Sequence, residues 1–137
     1  MSSNLATATV NFTLANGLGI YQGASWSIPI TITDRDEDGV ETPINLTGYT
    51  GRCSIKEEAN YDLPLLQPDV VMVSPENGQL TLELSDEDTE LSQITGKTYD
   101  DVRVLQYDVF LDTEEGDSMR ILQGYVEVSP SVTKEGE

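Results

Sequence analysis

Carboxylates are the chemistry this chain offers in quantity: Asp and Glu fill 25 of its 137 positions. The densest run, Asp34-Arg35-Asp36-Glu37-Asp38-Gly39, sets oxygens at alternate positions ahead of a glycine. That is the first half of a calcium loop, with Asp34, Asp36 and Asp38 as ligands and glycine making the sharp turn. The second half fails, because the position that needs a bidentate glutamate is Asn45 and no helical pattern flanks the run. The competing reading is a hairpin from Ile28–Thr33 to Ile44–Leu46, in which Asp38-Gly39 supplies the positive φ of a tight turn. The hairpin is the expectation, no cofactor is expected, and calcium is the alternative. Carboxylate pairs also hydrolyse glycosides, but at this density two acids meet by chance. Other reactive types are scarce. Histidine is absent, which removes the commonest general base and zinc ligand together. There is no Gly-x-Ser-x-Gly elbow, and Cys53, the single cysteine, has no histidine to activate it. No catalytic residue is assigned, and the chain is expected not to be an enzyme.

Charge narrows the partners. Seven basic residues against 25 acidic ones give a formal charge of −18, which leaves no Lys/Arg surface to displace phosphate counterions, so nucleic acid is not an expected partner. No apolar run is long enough to cross a membrane, and MSSNLATATVNFTL has neither the basic nor the apolar region of a signal peptide. The sequons Asn11-Phe12-Thr13 and Asn45-Leu46-Thr47 are therefore read as accidental. One cysteine forms no intrachain disulfide. The length suits one domain.

The elements that must position any site read as strands. Ala8, Val10, Phe12 and Leu14 alternate with Thr7, Thr9, Asn11 and Thr13; Trp26, Ile28, Ile30 and Ile32 alternate with Ser25, Ser27, Thr31 and Thr33. Such alternation is what a half-buried strand requires. Pro29 lacks an N–H, which predicts an edge or a bulge there. Thr50–Lys56 turns Cys53 and Ile55 inward and Arg52, Ser54 and Lys56 outward; Gln79–Leu84 turns Leu80, Leu82 and Leu84 to one face. Two longer strands, about Val102–Leu111 and Ser118–Val128, flank a hairpin loop at Glu114-Glu115-Gly116-Asp117. Helix is expected only at Asp86–Gln93, with Ser85 as N-cap and acids in the first turn. Tyr61–Pro68 reads as an irregular crossover. The expectation is an all-β fold: a single antiparallel β-sandwich of about seven to eight strands with one short helix. It would occupy residues 21–134, after an N-terminal strand or arm over 1–20 and before a frayed tail at 135–137.

Within that frame the last strand stands out. With Leu122, Gly124, Val126 and Val128 turned to the core, Met119, Ile121 and Tyr125 fall on the opposite face near Phe110, and an apolar stripe on an outer face is a candidate interface. A second sheet or the crossover within the same chain is the alternative cover, since register is not set by sequence alone. The strand carrying Val10, Phe12 and Leu14 is the other candidate interface, able to pack at home or to add to a neighbour's sheet edge. Trp26, Tyr49 and Tyr107 are assigned to the core.

Tyr21-Gln22-Gly23-Ala24-Ser25-Trp26, followed by the alternating isoleucines, resembles the opening of small all-β proteins of tailed bacteriophages. Leu46-Thr47-Gly48-Tyr49 is the most specific further match. Gly78–Leu84, Thr89 with Leu91, Tyr107-Asp108-Val109 and the closing Ile121–Lys134 follow in the same order. The resemblance covers about Tyr21 to Lys134; the acidic loop Asp34–Asp38 and the stretch Gly96–Arg103 depart from it. It implies an immunoglobulin-like or baseplate-type sandwich that serves as a non-enzymatic virion component. Such a component is made in the host cytoplasm and docks as a homo-oligomer onto other virion proteins in the tail, baseplate or neck. Capsid decoration on the head exterior is the alternative placement. From another class comes a carbohydrate-binding module with Tyr61, Tyr99 and Tyr125 as stacking platforms.

Overall fold

Period-2 patterning becomes ten strands among the described residues, which in this computed structural model are 8–14, 17–57, 64–90 and 102–130. They are β1 (Ala8–Thr9), β2 (Ile20–Tyr21), β3 (Trp26–Thr31), β4 (Thr33–Arg35), β5 (Glu41–Pro43), β6 (Thr50–Lys56), β7 (Asp69–Ser74), β8 (Gln79–Leu84), β9 (Arg103–Asp112) and β10 (Ser118–Ser129). The fold is all-β, as expected. Hydrogen bonding, however, divides the strands among three open sheets. β1 and β2 flank β10, which pairs with β9 and through it β6; β3, β8 and β7 form a second sheet; β4 and β5 form a two-stranded hairpin.

The two larger sheets feed one buried cluster. Trp26 and Ile28 of β3 and Leu80, Leu82 and Leu84 of β8 meet Cys53 and Ile55 of β6, the inward residues Leu105 to Leu111 of β9, and Leu122, Val126 and Val128 of β10. Tyr107 is buried with Trp26 and Tyr49 packs half-buried against the cluster, where large aromatic areas contribute most to packing. Pro29 lies on β3, an edge strand, which needs no outward N–H there.

The short helix α1 (Asp86–Thr89) begins where the cap predicts. Ser85 Oγ accepts from Asp88 N–H at 3.1 Å while the Asp88 carboxylate accepts from Ser85 N–H at 3.2 Å, a reciprocal box that satisfies two free donors of the first turn. Leu91 to Gln93, expected to continue it, lie outside the described residues. Thr89 is fully buried; its Oγ accepts from Gly23 N–H at 3.0 Å and donates to Ala24 O at 2.9 Å. One hydroxyl thus ties the Gln22-Gly23-Ala24 turn to the end of α1.

The N-terminal segment packs at home, parallel to β10. Val10 N–H donates to Gln123 O, Phe12 N–H to Tyr125 O and Glu127 N–H back to Phe12 O, at 2.8–2.9 Å. Phe12 is buried edge-on against Trp26 (centroids 5.8 Å, 82°) and tilted over Tyr107 (5.1 Å). Tyr107 Oη donates to Val10 O at 2.7 Å, and Trp26 Nε1 to Leu18 O at 2.8 Å. Gly124 permits this approach: its φ is +153°, and a Cβ there would collide with Val10 O.

A candidate docking face on the large sheet

The outward residues of β6, β9 and β10 line up in four rows. Thr50, Asp112 and Ser118 make the first; Arg52, Phe110 and Arg120 the second; Ser54, Asp108 and Gln123 the third; Lys56, Gln106 and Tyr125 the fourth. Opposite residues in an antiparallel pair stand close enough for their side chains to interact, and here they do. Arg52 chelates Asp112 through Nε (2.8 Å) and Nη2 (3.1 Å), and Ser118 Oγ donates to Asp112 Oδ1 at 2.6 Å. The guanidinium carbon of Arg52 lies 4.8 Å from the centre of the Phe110 ring and that of Arg120 5.9 Å, so one ring faces two cations. The Arg52 guanidinium and then the Ser118 hydroxyl hold the Asp112 carboxyl below the usual carboxylate range. Beside this cluster runs an open groove of about 330 Å³, walled by Ser54, Lys56, Gln106, Asp108, Gln123 and Tyr125.

These four rows carry three cations, Arg52, Lys56 and Arg120, against two carboxylates, Asp108 and Asp112. The chain as a whole has seven basic and 25 acidic residues. The next row, Val104 with Glu127, adds a third carboxylate, so the outer face of the large sheet is balanced in charge on a strongly negative molecule. Such a face would repel an acidic surface less than the rest of the molecule does, and it presents guanidinium, amide and aromatic groups.

The expected apolar stripe is not what forms here. Phe110 and Tyr125 do share the outer face, half-buried and exposed respectively. Met119 and Ile121 do not join them; Met119 packs half-buried on the core and Ile121 is buried. The reason is a bulge. Arg120 pairs with Phe110 and Leu122 with Val109, so Ile121 is the extra residue. One inserted residue shifts the alternation, turning Met119 inward opposite Leu111 and Arg120 outward. Phe12, the other apolar candidate, is buried, Leu14 is half-buried with its N–H on the Glu127 carboxylate (2.9 Å), and Val10 is exposed. Alternation in Thr50–Lys56 already turned Arg52 and Lys56 outward; Arg120 carried no such signal, because the bulge that exposes it is a property of the pairing.

The acidic run turns at Asp38-Gly39 as expected, but the hairpin it closes is β4 with β5, while Ile28 to Thr31, expected to pair with Ile44–Leu46, pair with β8 instead. Thr33, Asp34 and Arg35 pair with Pro43, Thr42 and Glu41. Asp36 Oδ1 accepts from Asp38 N–H and Val40 N–H, each at 2.9 Å, and Gly39 takes φ +82°, the left-handed conformation that favours glycine. Among the described residues no three acidic or cysteine side chains gather as metal ligands, Asp34, Asp36 and Asp38 included. Tyr61 and Tyr99 lie outside the described residues, so Tyr125 is the one proposed stacking platform in view. Cys53 is buried, and desolvation followed by the charge of Asp108 pushes its thiol up to about 12, the opposite of what a nucleophile needs. In the comparisons with known proteins, no protein-family model and no curated protein matches this chain.

Proposed function

We propose that this chain is a structural subunit that works by docking, its outer sheet face receiving an acidic surface of another subunit. The observation that carries the reading is the row Arg52–Phe110–Arg120 beside the Lys56–Tyr125 groove: cations gathered on one flat face of a chain with formal charge −18. Flat mixed faces of this kind suit subunit contacts, where aromatic and arginine side chains contribute most. In this reading the two larger sheets stack as the layers of an immunoglobulin-like sandwich. The resemblance over Tyr21 to Lys134 points to the virion of a tailed phage, in the tail, baseplate or neck, with a non-enzymatic role and no cofactor.

Gold-labelled antibody against the chain, applied to purified particles of its source phage, tests the placement. Label at the tail or neck supports it, label over heads moves the chain to capsid decoration, and particles free of label and of the protein by mass spectrometry overturn the virion role. The face is tested separately. Arg52→Glu with Lys56→Glu should abolish incorporation into particles without unfolding the chain. Tyr125 with the Gln106 and Gln123 amides also favours a second reading, a saccharide site, since aromatic faces stack on sugar rings and amides bond hydroxyls. Glycan-array binding that disappears in Tyr125→Ala would replace the first reading with this one.

A further inference from the structure

The N-terminal segment carries a second contact, and that contact does not depend on the docking face. We propose that residues 8–14 exchange between two copies of this chain, each segment lying on the β10 edge of the other copy, with Leu18 as the hinge. The receiving surface is complementary to this segment in detail. Leu122 and Gln123 pair in parallel with Ala8 and Thr9, and Val126 bridges to Phe12. Phe12 packs against both Trp26 and Tyr107, and the Tyr107 hydroxyl donates to Val10 O at 2.7 Å. The same segment supplied by a second copy makes all of these contacts again. Exchange of an identical element is for that reason a low-cost route to a dimer, and a reciprocal exchange closes at two copies.

The connection favours exchange, because it is strained when the segment folds back on its own chain. Thr13 N–H donates to Gly17 O at 3.1 Å and Gly19 N–H to Thr13 O at 2.8 Å, which closes a tight loop. A Cβ at Gly17 would collide with Thr13 Oγ1 and Thr13 O. Within this loop Leu18 takes φ +67°, the one non-glycine residue among those described with a positive φ, and there a Cβ crowds the following carbonyl oxygen. Trp26 Nε1 donates to Leu18 O at 2.8 Å. Rotation about φ of Leu18 leaves that carbonyl in place and swings only the residues before it. Moving φ to the extended region therefore releases the strain and carries residues 8–14 off their own β10. The two loop hydrogen bonds exchange for bonds to water, a small net change. No charged side chain precedes Asp34, so the crossing segment adds no charge to a contact between two chains of formal charge −18. General repulsion between the copies still opposes the dimer, and screening favours it.

Disulfide trapping between two differently tagged chains provides the test. Thr9 and Gln123 are register partners, with Gln123 Nε2 3.4 Å from Thr9 Oγ1, and Cys53 is buried and does not compete. Full chains carrying Thr9→Cys and full chains carrying Gln123→Cys are incubated together at rising concentration, in low and in high salt, and then oxidised. The expected result is a disulfide joining the two tags, its yield rising with concentration and with salt. Val104→Cys, at an exposed position of β9, should not link when it replaces Gln123→Cys. Leu18 sets the direction of the equilibrium. Leu18→Gly relaxes the folded-back loop at both hinges of the dimer and should raise the dissociation constant in sedimentation about tenfold or more. Leu18→Pro locks φ near −65°, forbids the folded-back loop and should tighten the dimer. No link between the tags where one chain carrying both cysteines closes its own disulfide, equal linking through Val104→Cys, or a Leu18→Gly dimer as tight as the original would each overturn the proposal. So would loss of the exchange in Arg52→Glu with Lys56→Glu, which should leave it intact. Should Leu18→Pro fail to fold by circular dichroism, the trapping and Leu18→Gly results decide.

Discussion

At the scale of single residues, burial decides reactivity. Cys53 reads in the sequence as a small hydrophobe because it alternates with Ile55, and it is buried at 4% exposure. Its thiol is raised to about 12 by desolvation, with Asp108 adding to the effect. An unfolded thiol ionises near 8.5. From about that pH upward the unfolded chain loses a proton that the folded chain keeps, so this group's contribution to stability is full below it and falls as pH rises toward 12. Native Cys53 should therefore resist a thiol reagent at pH 8 and react on unfolding, and the melting temperature should decline above pH 9; fast labelling of the native protein would refute this. Thr89 illustrates the reverse. Nothing in its neighbourhood in sequence announces a fully buried hydroxyl, because its partners Gly23 and Ala24 lie 66 and 65 positions away.

At the scale of elements, turns and caps were legible and strand phase was not. The Asp36–Gly39 turn, the Thr113–Asp117 turn and the Ser85 cap each depend on residues within four positions of one another. The bulge at Ile121 depends on β9, and it moves Met119 and Arg120 to the faces opposite those that plain alternation predicts. The N-terminal strand shows the same dependence on a partner. Its alternation predicts a strand, while the parallel pairing to β10 rests on Gly124, 114 positions from Val10. Gly124→Ala puts a Cβ against Val10 O at an unfavourable φ. We expect a loss of about 1–3 kcal/mol, together with faster amide exchange at Val10 and Phe12 and a change in Trp26 fluorescence as Phe12 leaves it. Unchanged exchange at those amides would show that the backbone approach at Gly124 does not hold the strand.

At the scale of the whole molecule, net charge opposes compaction as well as association. Twenty-five carboxylates on one small chain repel one another, and screening relieves that repulsion. Raising salt from low to moderate concentration should raise the melting temperature, and a flat or falling curve would mean that local ion pairs outweigh the overall repulsion. The Arg52–Asp112 pair acts in the opposite direction. Because the Asp112 carboxyl is depressed by Arg52, its contribution is present above the ordinary carboxylate pKa of about 3.9 and is lost as pH falls through the lower folded value.

The sequence by itself determined that the chain is built of strands, which residues of β3, β6 and β8 face inward, where two hairpins turn and where the one short helix begins. These are local properties: side chains alternate every residue, and a cap or a turn needs only a few neighbours. Tertiary structure alone decided that the strands divide among three sheets, that the N-terminal segment lies parallel to β10, and that Arg120 joins Arg52 and Phe110 on one face. Those outcomes depend on which strand pairs with which and in what register. A slip of a single residue exchanges the two faces of a strand, and no local pattern records whether it occurs.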